Sequence, residues 1–205
     1  MADLLADIYI GLMSGTSLDG VDGVMVDFSS GGIAVRAYAT APFSVALRTE
    51  LMALNTPDGI NELHRAALAG NALARVYAEV TQDLLDQADV GAEAIVAVGA
   101  HGQTVRHRPG AFDDIGYTLQ LNNPALLAEL TGIEVIAEFR TRDVAAGGQG
   151  APLVPAFHRS LFAQANDAVA VLNLGGISNL SLLPPTSGEA ITVLGFDCGP
   201  GNALL

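Results

Sequence analysis

The stretch that most constrains the fold of this chain is residues 7–27, where two apolar runs flank a turn rich in glycine and hydroxyl groups. The run at 7–13 contains β-branched and aromatic residues, as a buried strand does. A second apolar run follows at 21–28, and Gly15 between the two can adopt backbone angles that other residues avoid. The pattern therefore predicts a strand, a turn at Ser14–Ser17 and a second strand.

This turn has two interpretations. A polar hairpin tip is the simpler one, because turns made of glycine, serine and threonine are common. The other is a phosphate-binding turn, in which backbone N–H groups hold an anion without a helix. Asp19 and Asp22 would then be placed to hold a hydrated magnesium ion, which keeps several water ligands and needs few carboxylates. The spacing alone leaves both interpretations open.

Composition narrows the class of protein. The chain has 205 residues and half of them are apolar, which favours a sizeable core over disorder. The net charge of −13 argues against nucleic acid and anionic membranes as partners. All nine basic side chains are arginine, so a P-loop, which needs a lysine at the phosphates, is excluded. Cys198 is the only cysteine, so no intrachain disulfide or cysteine zinc cluster is expected.

We expect a soluble cytoplasmic protein. The first residues are acidic, with Asp3 and Asp7, and do not resemble the basic start of a signal peptide. The chain also lacks an apolar run of about eighteen residues, the length that a membrane-spanning helix needs.

The pattern after residue 28 predicts a third strand and then helices. Gly31-Gly32 marks a tight hairpin into a strand at 33–38, which completes an antiparallel meander. Ser44 can cap a short helix that buries Leu47, Leu51 and Leu54.

A longer helix is predicted next, with Thr56 as its cap and Pro57 in its first turn, ending before Gly91. Steps of three and four residues define its buried face, which consists of Leu63, Ala66, Gly70, Leu73, Tyr77, Val80 and Leu84.

Residues 94–100 are continuously apolar, as a central parallel strand would be. We expect this strand to end at the polar segment His101–Pro109, because open α/β sheets bind ligands just beyond the carboxyl ends of their strands. A short helix over 125–130, a strand at 134–137 and a mobile polar segment at 140–150 are predicted to follow.

A helix over 152–162 should pack Val154, Phe157 and Leu161 and lead into a second β series. The strands of that series are predicted at 169–174, 180–183 and 191–196, with a turn at Gly175–Asn179 and another at 184–188.

This second series repeats the strand, glycine-hydroxyl turn, strand order of residues 7–38. It predicts two lobes, 1–165 and 166–205, each offering a phosphate-binding turn to a nucleotide between them. Without covering helices, three strands would leave one face of their sheet bare. We therefore expect the chain to be a fragment, a truncated product or half of something longer.

Long motifs in this sequence resemble those of the anhydro-N-acetylmuramic acid kinases, in the same order along the chain. They are Gly11–Asp22, His101–His107, Phe139–Pro155 and Gly195–Asn202. The resemblance spans nearly the whole chain and about the first half of a family member. It implies membership of the superfamily of sugar kinases, actin and heat-shock chaperone ATPases. The implied fold is an α/β, actin-like ATPase lobe of the ribonuclease-H-like type, a mixed sheet flanked by helices, followed by the β-rich start of a second, similar lobe.

The same resemblance implies that ATP, magnesium and water convert 1,6-anhydro-N-acetylmuramic acid to N-acetylmuramic acid 6-phosphate and ADP, in cell-wall recycling. The partners would be this sugar and ATP, and the oligomeric state, which the sequence does not fix, could be a homodimer. The implied catalytic base is Asp197. The predicted ATP-binding residues are Gly15, Thr16, Ser17, Leu18, Asp19, Gly20, Val21, Asp22, Gly175, Gly176 and Ser178, with Asp19 also at the magnesium ion. The predicted substrate residues are Gln103, Arg106, Arg140 and Asn122.

These residue types suit the reaction. The 1,6-anhydro bridge is an internal glycosidic bond, so a carboxylate must take a proton from the attacking water, as in an inverting glycosidase. The departing O6 would be captured by the γ-phosphoryl group. Arg106, Arg140 and Arg142 are either surface charges or donors to the lactyl carboxylate of the sugar, for which bidentate arginine is apt.

Three positions, in two of the motifs, depart from the family pattern. Cys198 stands where the family usually has threonine, and Asn122 and Asn123 stand where it has glycine and aspartate. A thiol is a weaker hydrogen-bonding group than a hydroxyl, so a phosphate or water contact at Cys198 would be weakened. If the aspartate touched sugar or metal, that contact would now be neutral.

Other interpretations remain open from the sequence. Asp197 can simply cap a turn, since aspartate before glycine is common there. The chain can be a catalytically incomplete fragment that binds sugar or phosphate, or only dimerises. It can also act on another anhydro-sugar or on ATP alone.

Overall fold

The computed structural model of the chain describes residues 7–187 and 192–201. These residues form two compact units. The first unit comprises 7–107 and 119–139, and the second comprises 108–118, 140–187 and 192–201. The lobe boundary at residue 165 stays a prediction.

The first unit is built on a six-stranded mixed sheet, as expected for an α/β fold. Its strands are β1 (Ile8–Ser14), β2 (Gly20–Asp27), β3 (Ala34–Pro42), β4 (Ile95–Pro109), β5 (Gly116–Leu121) and β6 (Val135–Ile136). Their order is β3-β2-β1-β4-β5, with β6 also paired to β4. The β1–β2 and β2–β3 pairs are antiparallel, which confirms the predicted meander, whereas β4 runs parallel to β1.

Helices follow the strands in the chain. They are α1 (Val45–Leu54), α2 (Glu62–Ala88), α3 (Pro124–Thr131), α4 (Thr141–Ala145) and α5 (Pro155–Phe162), with a short 3₁₀ turn at Ala92–Ala94. The Ser44 hydroxyl accepts a hydrogen bond from the Leu47 N–H and caps α1, as predicted. Helices α1 and α2 pack with β1, β2 and β4 around one apolar core, in which Leu51, Leu73 and Val98 are completely buried. Among the described residues, no helix combines the length and apolar character needed to cross a membrane.

Helix α2 begins later than its sequence indicates. Thr56 is not its cap and Pro57 does not lie in its first turn, because Asp58 and Asn61 adopt left-handed backbone angles that break the helix. The helix starts at Glu62, after Asn61, and Leu63 in its first turn is 91% exposed instead of buried. The rest of the predicted apolar face does turn toward the core, from Ala66 to Leu84.

Strand β4 extends well past the predicted end of the strand. The segment His101–Pro109, predicted to lie beyond the strand, belongs to it, and β5, which the sequence analysis missed, pairs beside it. The polar side chains of this segment do not make it a loop, because the sheet supplies partners for its backbone. Segment 140–150, predicted to be mobile and polar, contains the short helix α4.

The second unit contains an antiparallel sheet in the order β7-β8-β9, and this β-rich sheet confirms the second β series. The strands are β7 (Val169–Leu174), β8 (Ile177–Leu183) and β9 (Leu194–Pro200). The predicted start of the third strand at residue 191 lies outside the described residues. Helix α5 does not bury its apolar side chains as predicted, since Val154, Phe157 and Leu161 are 39%, 50% and 43% exposed.

Candidate functional site in the glycine turns

The turn between β1 and β2 is ordered by its own hydrogen bonds. The Leu18 N–H donates to the Gly15 carbonyl at 3.3 Å, and the Ser17 hydroxyl donates to Asp19 Oδ1 at 2.8 Å. Leu18 has a φ of 57°, and its side chain is only 5% exposed. An apolar anchor and two internal bonds therefore hold residues 15–19, which we call the N-terminal turn, in one shape.

The buried side-chain amide of Gln103 contacts the backbone of the N-terminal turn. Gln103 Nε2 donates to the Gly15 carbonyl at 3.0 Å, and the Gln103 side chain is completely buried. Its Oε1 atom has no hydrogen-bond partner among the described residues. Gln103 was predicted to bind substrate. The structure places it beneath the predicted nucleotide turn, and its contact with a sugar stays a prediction.

A cavity of ≈ 250 Å³ lies beside this turn, with two carboxylate residues, Asp19 and Asp22, in its wall. The remaining lining residues are Gly20, Val21, Thr40, Ala41 and Pro42. Asp22 Oδ1 accepts a hydrogen bond from the Tyr38 hydroxyl at 2.7 Å, and this bond raises the pKa of Tyr38.

The residues around this cavity suit a hydrated magnesium ion better than an ion ligated entirely by protein side chains. Over residues 7–187 and 192–201, no three histidine, cysteine or acidic side chains are grouped so that they could hold a metal ion. Magnesium keeps most of its water ligands and needs only one or two protein carboxylates. Asp19 and Asp22 in the same cavity wall supply two such carboxylates, and a magnesium ion at Asp19 stays a prediction.

The second glycine turn is shorter than predicted. Strand β8 starts at Ile177, so only Gly175 and Gly176 lie in the turn. The Gly201 N–H donates to the Gly176 carbonyl at 2.9 Å. A Cβ on Gly201 would lie 2.1 Å from the Gly175 oxygen, so no side chain fits there.

Ser178 is already engaged within the second unit. Its hydroxyl donates to the Gly199 carbonyl at 2.9 Å, and the residue is buried. The roles of Gly175, Gly176 and Ser178 at a nucleotide stay predictions.

The predicted base Asp197 lies within β9, paired with Asn179, whereas the strand predicted at 191–196 would have ended just before it. The register shifts beside this pair, between Ser178 and Asn179. Asp197 is exposed.

Arg140 and Asp197 lie close enough to interact electrostatically. Burial lowers the pKa of the Arg140 guanidinium, and the negative charge of Asp197 opposes that effect. Arg140 Nη1 also donates to the Gly150 carbonyl at 2.6 Å. The predicted base and one of the predicted substrate residues thus lie in the same unit, near enough for the charge of Asp197 to act on Arg140.

Arg106 is occupied by the segment between α1 and α2. Its guanidinium donates to the carbonyls of Leu54 and Thr56, the latter at 2.9 Å, and to Glu62 Oε1 at 3.2 Å. Only 11% of its side chain is exposed. This geometry favours a structural role, and its contact with a substrate carboxylate stays a prediction.

Asn122 and Asn123 serve the backbone. Asn122 Oδ1 accepts from the Asn123 N–H at 2.8 Å, while Asn122 Nδ2 donates to the Ala100 carbonyl at 3.4 Å. Asn123 caps α3, because its Oδ1 accepts from the Leu126 N–H at 3.0 Å. The substrate role predicted for Asn122 is not tested by these contacts.

Sequence reasoning missed two side chains behind the N-terminal turn. Ser14 is 1% exposed, Tyr77 is completely buried, and their hydroxyl oxygens lie 3.1 Å apart. Tyr77 was predicted only as part of the apolar face of α2. A tyrosine in an otherwise aliphatic buried stripe was the available signal, since a buried tyrosine hydroxyl usually has a partner.

The N-terminal turn, the cavity beside it and Asp197 all lie within a match to a known family. The family model described as anhydro-N-acetylmuramic acid kinase matches residues 7–205. The chain belongs to this kinase family.

Curated relatives carry the same description. The anhydro-N-acetylmuramic acid kinase of Variovorax paradoxus is 71% identical over 204 residues, covering 98% of this chain and 54% of the relative. That of Albidiferax ferrireducens is 63% identical, covering 98% and 56%, respectively. The chain therefore spans about half the length of the curated relatives it matches.

Solved structures give weaker likenesses. A Ppx/GppA family member from Aquifex aeolicus has a TM-score of 0.44 at 14% identity, over 95% of this chain and 52% of that chain. YeaZ from Pseudomonas aeruginosa has a TM-score of 0.34 at 16% identity, over 95% of this chain and 68% of that chain. The assignment to the kinase family rests on the sequence matches.

Proposed function

We propose that this chain supplies the phosphate-binding turn and the catalytic base of an ATP-dependent kinase that opens 1,6-anhydro-N-acetylmuramic acid and phosphorylates its O6. The observation that carries the proposal is the family match over residues 7–205, which includes both glycine turns and Asp197. The ordered N-terminal turn and the carboxylate-lined cavity beside it support the nucleotide-binding part of the proposal.

In the proposed reaction, the Asp197 carboxylate takes a proton from the water that attacks the anomeric carbon. The bond between that carbon and O6 breaks, O6 forms its new bond to the γ-phosphorus, and ADP leaves. Backbone N–H groups of Gly15–Asp22 donate to phosphate oxygens. A magnesium ion held by Asp19 would supply positive charge to those oxygens when bound. Arg140 would bind the lactyl carboxylate of the sugar.

The test compares two proteins. One is this chain, and the other is a chimera in which residues 1–205 are followed by the C-terminal part of the Variovorax paradoxus relative. Each receives ATP, Mg²⁺ and the anhydro-sugar, and both ADP and the sugar phosphate are measured. We expect equal amounts of the two products from the chimera. ADP without sugar phosphate, or phosphorylation of levoglucosan at a similar rate, would contradict the proposed substrate.

The second candidate function is that of a binding fragment without turnover. It is favoured by the observation that the chain spans only about half of each relative. Calorimetry with ATP and with the anhydro-sugar, each added alone, separates this candidate from the first. Binding of either ligand by this chain, with turnover in the chimera only, would establish the fragment function. Light scattering of the same samples would show whether the chain is a homodimer.

A further inference from the structure

Strand β4 carries one extra residue opposite the end of β1. Leu12 pairs with Ala100 and Ser14 pairs with Gln103, so three steps along β4 match two steps along β1. Gly102 lies in this β-bulge with a φ of 81°. A Cβ at this position would lie 2.7 Å from the Leu121 carbonyl oxygen, so the site requires glycine.

The bulge decides which way Gln103 points. Before it, Val98 and Ala100 are completely buried, and after it Gln103 and Val105 are buried at 0% and 6% exposure. Ile95 and Ala97 at the start of β4 are buried as well, and Ile95 precedes another shift in the register between β1 and β4. From there on, the members of the apolar core are Val98 and Ala100 before the bulge and Val105 after it, so the core-facing positions change from even to odd numbers across Gly102. One inserted residue reverses the faces of all side chains that follow. Without the bulge, the Gln103 amide would leave the core face and lose its bond to Gly15.

A closed ring of three hydrogen bonds holds the bulge in place. The Gly102 N–H donates to the Tyr77 hydroxyl at 3.0 Å, and the Ser14 hydroxyl donates to the Gly102 carbonyl at 3.1 Å. Because each hydroxyl has one proton, the 3.1 Å bond between Tyr77 and Ser14 is donated by Tyr77. The ring gives a partner to both backbone groups of the bulged glycine, as buried backbone groups require, and the Gly102 carbonyl also lies 2.7 Å from His101 Nδ1.

We propose that Tyr77 is a positioning residue for the N-terminal turn, acting through the Gly102 bulge and the Gln103 amide. The path has three links, from the Tyr77 hydroxyl to Gly102, from the bulge to the orientation of Gln103, and from Gln103 Nε2 to the Gly15 carbonyl. Its consequence for nucleotide binding rests on the proposed function of the turn, whereas its consequence for the shape of the turn does not.

The test replaces Tyr77 by phenylalanine, which keeps the ring and removes the hydroxyl. Amide hydrogen exchange at Gly102 and Leu18 reports the bulge and the turn, and calorimetry reports the Kd for Mg·ATP. We expect exchange at both amides to accelerate at least about tenfold and the Kd to rise about tenfold.

The matched control is Thr81→Val on the same helix. It removes another buried hydroxyl, one that bonds the Tyr77 carbonyl at 2.8 Å, and should leave both amides and the Kd unchanged.

Two further variants test the links of the path separately. Gln103→Leu should accelerate exchange at Leu18 but not at Gly102, because it breaks only the last link. Ser14→Ala should affect both amides, and it replaces Tyr77→Phe as the test should that variant not fold.

A merely structural Tyr77 predicts a different result. The phenylalanine variant would then lose thermal stability, while its exchange rate at the Leu18 amide and its Kd for Mg·ATP would equal those of Thr81→Val. That result would overturn the proposal. If neither the unaltered chain nor the chimera binds ATP, the nucleotide role of the turn fails, and exchange at Leu18 still decides whether Tyr77 positions the turn.

Discussion

At the residue scale, the negative charge of Asp197 opposes the lowering of the Arg140 pKa by burial. In the proposed reaction only Asp197 accepts a proton. Replacing it by asparagine keeps the size of the side chain and removes the base.

We predict that Asp197→Asn in the chimera lowers the rate of sugar phosphate formation about 10²- to 10⁴-fold, the usual contribution of a general base. Ring opening and phosphoryl transfer should fall together, because one water attack drives both. The reducing sugar end and ADP are measured in the same reaction. Cys198→Thr at the adjacent exposed position is the control and should retain activity. A variant that loses one step and keeps the other would contradict the coupled reaction.

The Tyr77 hydroxyl makes a second residue-scale prediction, about pH. Burial raises the pKa of Tyr77 from 10.0 to about 12. A tyrosine whose folded-state pKa is raised keeps its contribution to stability below pH 10, where both states are protonated. As the pH rises from about 10 to about 12, the unfolded chain loses the proton first and stability falls.

We expect the free energy of unfolding to drop by about 2 kcal/mol over this pH range, relative to Tyr77→Phe. Urea titrations at several pH values measure it. Lysine side chains normally titrate in this pH range, but the chain has none, so they do not contribute to the change. Tyr117→Phe, at a partly exposed tyrosine, is the control and should follow the unaltered chain. Parallel curves for Tyr77→Phe and the unaltered chain would contradict the raised pKa.

Asn123 shows what a comparison of motifs leaves open. If the aspartate that the family has here contacts sugar or metal, that contact is neutral in this chain. The structure shows a helix N-cap at this position, where aspartate and asparagine serve about equally well. The local hydrogen bonds indicate that asparagine keeps the capping role at this position, and a contact with sugar or metal there stays a prediction.

At the element scale, the sequence predicted the helices and strands whose formation depends on the local order of apolar and polar residues. The β1–β2–β3 meander, the cap of α1 and most of the buried face of α2 follow from alternation, a capping serine and a repeat near 3.6 residues. The extension of β4 and the presence of β5 could not be predicted, because their polar residues are held in strands by pairing between segments. The Gly102 bulge was missed for the same reason, since it exists only relative to β1.

The bulge makes an element-scale prediction. Gly102→Ala should destabilise the chain by about 2–4 kcal/mol, the cost of a left-handed backbone plus that of an overpacked methyl group. Gly132→Ala is the matched control, since Gly132 has a φ of 69° and a Cβ there would meet nothing within 4 Å. It should cost only about 1–2 kcal/mol. Urea unfolding measures both, and equal losses would contradict the close approach of Leu121.

At the scale of the whole molecule, buried apolar side chains are distributed unevenly. The core described above lies in the first unit. Among the residues that the structure describes, Val144 and Leu183 are the buried apolar side chains of the second unit, at 2% and 1% exposure. Because apolar burial is the main favourable contribution to folding, the second unit has far less to stabilise it.

We therefore predict that the chain does not unfold in one step. Peptides from β7 and β8 should exchange their amide hydrogens at lower urea concentrations than peptides from β2 and α2, as expected for units of unequal stability. Leu183→Ala should shift only the earlier transition, and Leu73→Ala, at a completely buried position of the first unit, only the later one. Each should cost about 2–5 kcal/mol in its own transition. A single transition that both variants shift equally would show that the two units fold cooperatively, and the uneven core would then not determine how this chain unfolds.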